Sequence, residues 1–421
     1  MSSSTPAAEP AAGHAAEPAV GHAAEPAAGH AVASAPAPTA GHAKLTTWQA
    51  ACIITGYGVG SGIMTLPYLV TKAGTVSALL LLAAAFVFSY LMHAMLAEMC
   101  IGAGPGVQMV GMFRKHLIRG RFEKPIIICM FVLVTLVLVF NLAAYVAGGA
   151  EILESFGVPA LAAKIIFYAV AAGVVFFGLK VLGVSEAVAV DGIIAIVAVL
   201  AIASLFHLDS SVLYPSQGAM GILAFFGMAM MAFVAFFSVP QAVEGLDRNP
   251  VKVRSAIKIG LTVNALFILV ITGCSLAASD PEVGVTQLAM IGWSAGIGPW
   301  AQLLGSAFTL LAMLTTYWSI SRALSDIVAE QTGLSSRVCW VIATLPSLLL
   351  VLFDLGSFLE LMRLAGGLIA ILISLMVVPA FRNCRREQGR LLLSERLGST
   401  PVQILVVLAF ILMAVGNVVP V

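Results

Sequence analysis

Charge is what this sequence has least of. Only 10% of its residues are charged, against 60% hydrophobic, where water-soluble domains carry about 25% charge. That shortage excludes a soluble globular enzyme, a nucleic-acid binder and a disordered scaffold, because too little polar side chain exists to coat a fold in water. Paired cysteines are lacking too: Cys52, Cys100, Cys129, Cys274, Cys339 and Cys384 are scattered singly. No zinc or disulfide framework follows from them, and they read as small apolar residues. Histidine is scarce within the apolar runs, where His93 stands alone. No HExxH, paired-acid or nucleotide motif accompanies it, which argues against a membrane-embedded enzyme or a primary pump. The expectation is therefore no catalytic residue, no metal site and no cofactor beyond a coupling ion. Net charge is only +1, so no acidic macromolecular partner is implied.

Residues 1–43 differ from the rest. They repeat an eight-residue unit, Glu9-Pro10 to Gly13-His14, Glu17-Pro18 to Gly21-His22 and Glu25-Pro26 to Gly29-His30, with a looser copy ending at Gly41-His42. Rich in Ala, Pro and Gly, this stretch reads as a disordered tail rather than a signal peptide. From Trp48 onward, apolar runs follow one another. A spanning helix needs about 20 such residues. Eleven runs qualify, at 48–71, 75–102, 125–150, 159–179, 185–206, 218–243, 256–278, 299–325, 338–353, 357–380 and 400–420. The fold class expected is an all-α polytopic membrane protein, not a barrel of short alternating strands.

Basic residues set the orientation. Arg114, Lys115, Arg119, Arg121 and Lys124 follow span 2. Arg248, Lys252, Arg254 and Lys258 follow span 6, and Arg382, Arg385, Arg386, Arg390 and Arg396 follow span 10. Lys180 and Arg337 occupy the other even-to-odd loops; the opposite side has few, Lys72, Lys164 and Arg363, and the loops at 207–217 and 279–298 carry no Lys or Arg. This alternation puts the N-terminus in the cytoplasm and the C-terminus outside, in the cytoplasmic membrane.

Two spans carry helix-breaking chemistry. Span 1 reads Gly56-Tyr57-Gly58-Val59-Gly60-Ser61-Gly62-Ile63-Met64-Thr65-Leu66-Pro67, four glycines within seven residues and then a proline. Each glycine costs up to about 1 kcal/mol relative to alanine in a helix, and proline removes a donor. In lipid, irregular backbone is tolerated only against protein or a polar cavity. Close helix packing through small residues explains one or two glycines; this density predicts an unwound segment at a binding site. Span 6 repeats the theme more weakly in Phe233-Val234-Ala235-Phe236-Phe237-Ser238-Val239-Pro240-Gln241, where a proline kink is the competing reading. The breaks fall in the first and sixth spans. Five spans separate the starts of the two halves, so the second half runs inverted, as in transporters with broken helices around a midplane site.

These residues resemble the amino acid–polyamine–organocation transporter superfamily, amino acid permease branch. Gly58 to Pro67 followed by Gly74 is similar to its first-helix signature, Ala97-Glu98-Met99 to its second-helix acidic position, and Phe233 to Asn249-Pro250, with Arg254 to Ile257, to its sixth helix and exit. Ala235 stands where many members have glycine. The metal-ion members' Asp-Pro-Gly-Asn and Met-Pro-His motifs are absent. The resemblance implies the bacterial leucine transporter fold, a five-plus-five inverted repeat over 44–380 (44–207 and 218–380), with 381–421 adding a basic loop and an eleventh helix. It implies a secondary transporter of amino acids working by alternating access, by symport with Na+ or H+, with a lean to apolar or aromatic substrates. A sensor without net flux and a carrier of another small organic amine stay open, as does oligomeric state.

On that reading, peptide N–H groups at Gly58, Val59, Gly60, Ser61 and Gly62 suit a carboxylate, and carbonyls near Phe233, Ala235, Phe236, Phe237 and Ser238 suit an ammonium. Met228 and Met231 would help shape the side-chain pocket. Asn141 and Tyr145, one turn apart on span 3, either line the substrate site or hydrogen-bond between helices. Thr315, Thr316 and Ser319 on span 8 either hold sodium, as in coupled relatives, or bond back to their own helix. Asp191 on span 5 is the candidate proton carrier, with Glu186 also on that helix. Glu98 would brace a broken helix, and Arg322 and Asp326 would form a gate or structural pair, as would Glu360 and Arg363.

Overall fold

The computed structural model describes residues 44–60, 62–118, 120–208, 212–279, 284–286, 289–356 and 358–419. The repeat tail, Ser61 and Arg119 therefore lie outside the described residues, as do the side chains of Glu360 and Arg363. Among the described residues the chain is helical throughout, in fifteen α-helices and one 3-10 turn. Six helical stretches are long and apolar enough to cross a membrane unaided: Thr75–Ala103, Glu123–Ser155, Leu179–Ser204, Ala219–Gly245, Pro250–Ala278 and Pro299–Thr332.

Eleven spans emerge in chain order. Span 1 is α1 (Thr47–Val59) and α2 (Leu66–Ala73); span 2 is α3 (Thr75–Ala103). A surface helix α4 (Met109–His116) precedes span 3, α5 (Glu123–Ser155). Spans 4 and 5 are α6 (Ala160–Phe176) and α7 (Leu179–Ser204). Span 6 is α8 (Ala219–Ala232), a 3-10 turn (Phe236–Ser238) and α9 (Val239–Gly245). Span 7 is α10 (Pro250–Ala278), and a short helix α11 (Ala289–Ile297) precedes span 8, α12 (Pro299–Thr332). Spans 9, 10 and 11 are α13 (Ser336–Leu352), α14 (Phe358–Gln388) and α15 (Thr400–Gly416).

Local chemistry places the ends. A capping box starts span 1, where the Thr46 hydroxyl accepts from Gln49 N at 3.1 Å and the Gln49 side chain accepts from Thr46 N at 3.0 Å. Span 7 starts at Asn249, whose side chain accepts from Val251 N and Lys252 N, with Pro250 in the first turn. Between spans 1 and 2, Gly74 takes φ 85°, and a Cβ there would meet Ser216 N at 2.7 Å, so glycine is required twice over.

The packing repeats itself with an offset of five spans. Span 1 lies on span 7 as span 6 lies on span 2; span 3 on span 4 as span 8 on span 9; span 4 on span 8 as span 9 on span 3. Spans 3 and 8 also pack on each other. This exchange is what an inverted five-plus-five repeat generates. Span 11 falls outside it and packs on spans 6, 10 and 2. It comes close to span 6 through two glycines: a Cβ on Gly416 would stand 2.3 Å from Leu223 O, and one on Gly227 2.8 Å from Gly416 C. The bundle turns Leu79, Leu80, Val87, Ile128, Val188 and Leu266 outward, the surface a bilayer solvates.

Candidate functional site

Both breaks expected from the sequence are present. In span 1 the helix stops at Val59 and restarts at Leu66, and in span 6 it stops at Ala232 and restarts as α-helix at Val239. Pro67 falls in the first turn of α2 and Pro240 in the first turn of α9, where proline's missing N–H costs nothing. Each proline thus opens a new half-helix.

The glycines of span 1 serve close packing as well as the break. A Cβ on Gly58 would lie 2.5 Å from Asn264 Nδ2, one on Gly60 2.0 Å from Thr316 Oγ1, and one on Gly62 2.6 Å from the Ala232 Cα. Gly56 presses on span 5, 2.2 Å from Glu186 Oε2 by the same measure. Each glycine admits a different neighbour, which is why packing accounts for more of them than their spacing suggests. Asn264 also closes the end of α8, donating through Nδ2 to Ala232 O at 2.6 Å. It meets one of the carbonyls that a helix end leaves open. No pattern in the sequence singles it out, beyond being an amide in an apolar run.

Around the breaks, Gly58, Val59, Gly60, Gly62, Asn141, Tyr145, Phe233, Ala235, Phe236, Phe237 and Ser238 are all buried. They do not all face one way. Phe233 packs edge-on against Phe86 of span 2, with ring centres 5.9 Å apart. Phe236 sits between His93 of span 2 at 4.8 Å and Phe410 of span 11 at 5.5 Å. Those two rings bind span 6 to its scaffold. Met231 reaches span 10, its Sδ and Cε near Gly366. Toward the centre lie Tyr57 of span 1, which interacts with Tyr145 of span 3, and Gln241 of span 6, which donates to Ser319 O of span 8 at 2.8 Å. Tyr57 Oη, Asn141 Oδ1, Ser238 Oγ and Gln241 Oε1 are buried with no hydrogen-bond partner. Buried polar atoms usually find a partner in folded proteins, so these four, all on spans 1, 3 and 6, are the candidates for meeting a polar ligand.

Span 8 lays its hydroxyls on span 1. Thr316 Oγ1 donates to Gly56 O at 2.9 Å, and Thr315 Oγ1 approaches the same carbonyl at 3.2 Å. Both also bond back to Ala312 O. Ser319 Oγ donates to Glu186 Oε1 at 2.6 Å. Glu186 is completely buried, and its Oε2 has no partner. Asp191, five residues along the same helix, is exposed. The acidic side chain that reaches this cluster is thus Glu186.

Both ends of the site are covered. On the side bearing the basic loops, Leu45 N donates to Gly245 O at 2.7 Å, and the Leu45 side chain fills the spaces beside Gly183 and Gly245. On the opposite side, α11 reaches the span 1 break, Ala289 N donating to Met64 O at 2.9 Å. Trp293 of α11, fully buried, donates to Ser204 Oγ of span 5 at 2.7 Å. Arg322 and Asp326 form a two-bonded ion pair at 2.7 and 2.8 Å near the basic end of span 8.

Glu98 holds neither broken helix. Its carboxylate accepts from Arg385 Nε at 2.7 Å, Arg385 Nη2 at 3.3 Å, Leu393 N at 2.7 Å and Leu392 N at 3.1 Å. It ties span 2 to the end of span 10 and to the loop leading to span 11.

Comparison with known proteins agrees with this architecture. Mhp1, a nucleobase-cation-symport-1 family transporter solved in a closed conformation with bromovinylhydantoin bound, superposes with a TM-score of 0.63 at 15% identity, over 89% of this chain and 91% of that one. No curated protein matches the sequence. A family model does, that of the tryptophan/tyrosine permease family, across residues 44–417. With that match over nearly all of the described bundle, the chain belongs to the tryptophan/tyrosine permease family and is a secondary transporter of the bacterial leucine transporter fold.

Proposed function

We propose that this chain moves aromatic amino acids, of the tryptophan and tyrosine class, across the cytoplasmic membrane by alternating access, coupled to protons. The observation that carries the reading is the pair of breaks, at Val59–Leu66 and Ala232–Val239, in spans related by the inverted repeat. Peptide groups released there can grip the carboxylate and ammonium that all amino acids share. The peptide N–H groups of Gly58, Val59, Gly60 and Gly62, just before α2, suit the carboxylate. The carbonyl side of 233–237 suits the ammonium. Tyr57, Asn141, Tyr145, Phe237 and Ser238 then meet the side chain. The rings of Tyr57, Tyr145 and Phe237, with the unmet polar atoms of Tyr57, Asn141 and Ser238, match an aromatic group with a single polar edge, such as an indole N–H or a phenol. The family's printed name points the same way.

For coupling, the reading favours Glu186 over Asp191, with Thr315, Thr316 and Ser319 as its surroundings. The Glu186 carboxyl touches span 1 at Gly56 so closely that a Cβ there would be 2.2 Å from Oε2. A proton is the coupling cation this reading assigns to so tightly packed a carboxyl. A buried carboxylate facing no cation is costly, and a proton removes the cost. Loading it would favour the packing of span 1 on spans 5 and 8, and releasing it would loosen that packing. The even-to-odd loops with their arginines and lysines are assigned to the cytoplasm by the positive-inside rule.

Glu186→Gln tests the coupling role. In proteoliposomes this variant keeps exchange of labelled for unlabelled tryptophan and loses accumulation driven by a proton gradient. Gradient-driven accumulation at the native level in Glu186→Gln rejects that role. Net uptake itself distinguishes a carrier from a sensor.

A further inference from the structure

Span 7 carries two cations on its outer surface that the transport cycle does not use. Arg254 and Lys258 lie one turn apart and are both exposed. Among the described residues neither forms an ion pair with a carboxylate. Glu98, which accepts from the N–H of the same Leu392 whose carbonyl Arg254 contacts, is already satisfied by Arg385 and two peptide N–H groups. Tyr90 of span 2 completes the surface. The Lys258 Nζ lies 6.0 Å from the centre of its ring, and Arg254 acts electrostatically on its phenol. Arg254 is also fixed from behind, donating through Nη2 to Leu392 O.

Depth makes this arrangement unusual. Asn264 stands at the level of the breaks, beside Gly58 and Ala232. At 1.5 Å per residue along span 7, Lys258 lies about 9 Å and Arg254 about 15 Å toward the basic end. The hydrocarbon half-thickness is about 15 Å, so both cations leave the protein surface at or inside the edge of the acyl region. A cation facing lipid at that depth extends toward a headgroup oxygen or stays unmet, and staying unmet is expensive. Two cations flanking an aromatic ring in the cleft between two helices make a preformed anion seat.

We propose that Arg254, Lys258 and Tyr90 bind the headgroup of an anionic phospholipid in the leaflet on the basic side, in the cleft between spans 2 and 7. The phosphate bridges the two cations, and the acyl chains run along the apolar wall toward the middle of the bilayer. This rests on the spanning fold alone and is independent of the substrate assignment.

The test uses the purified full-length protein, stripped of lipid in detergent and examined by native mass spectrometry after adding back phosphatidylglycerol or phosphatidylcholine. The wild type retains phosphatidylglycerol in preference to phosphatidylcholine. Each cation removed lowers retention about fivefold, in Lys258→Gln and further in Arg254→Gln/Lys258→Gln, while Lys258→Arg keeps most of it. If loss of the Leu392 contact unfolds the double variant, Lys258→Gln alone decides, with its melting temperature in lipid-free detergent as the folding check. Equal retention of the two lipids, or native retention in a folded Lys258→Gln, overturns the proposal. Free glycerophosphate is the second arm: failure to displace the lipid supports it, and displacement at matched concentration reassigns the seat to a soluble anion and overturns it.

Discussion

Asn264, buried on span 7, donates to the carbonyl of Ala232, the last residue of α8. Asn264→Leu leaves that carbonyl buried and unmet, at a cost of about 1–3 kcal/mol. Thermal unfolding in detergent checks this, and a melting temperature unchanged from wild type removes the cap from the account. Gly60 makes the complementary case. A first side-chain carbon at that position would stand 2.0 Å from Thr316 Oγ1 and 3.1 Å from Ala312 O, and the second of these is backbone that cannot swing aside. Gly60→Leu therefore forces spans 1 and 8 apart and abolishes substrate binding, measured by scintillation proximity with labelled tryptophan. Native affinity in that variant would detach span 1 from the site.

At the scale of helices, the loop after span 10 depends on Glu98. Four hydrogen bonds converge on its buried carboxylate, and Arg385 also donates to Leu393 O at 2.7 Å. Glu98→Ala strands a largely buried guanidinium and two peptide N–H groups, with a loss of about 3 kcal/mol. The expected outcome is faster trypsin cleavage at Arg390 and Arg396 in the released loop, and an unchanged digestion rate argues against the tie. The spans and their two breaks were legible in the sequence because lipid demands long apolar runs, and because glycine and proline punctuate them. Which face of each span turns inward was not legible. Phe233 and Phe236 lie amid apolar neighbours on every side, so nothing in their spacing tells that their rings serve spans 2 and 11. Span 5 shows the same limit. Its buried stripe runs through Leu182, Glu186, Ala189, Val190, Ile193 and Val197, but lipid-facing positions such as Val188 are equally apolar and leave no amphipathic contrast to read. Asp191 and Glu186 therefore look alike in the sequence, and only packing separates them.

For the molecule as a whole, spans 1 and 6 are held at both ends and broken in the middle. Leu45 is tied to Gly245 of span 6 at one end, and α11 to Met64 beside the span 1 break at the other; under the alternating access proposed above, these two contacts are the ones that would part in turn. The cations on span 7, Arg254 and Lys258, are exposed on the flank of the bundle. The account stands most directly on uptake of labelled tryptophan into proteoliposomes against its own gradient, with an inward proton gradient imposed in the absence of sodium. It predicts saturable accumulation that collapses when the proton gradient is dissipated. Tryptophan that never exceeds its external concentration under that gradient would contradict it.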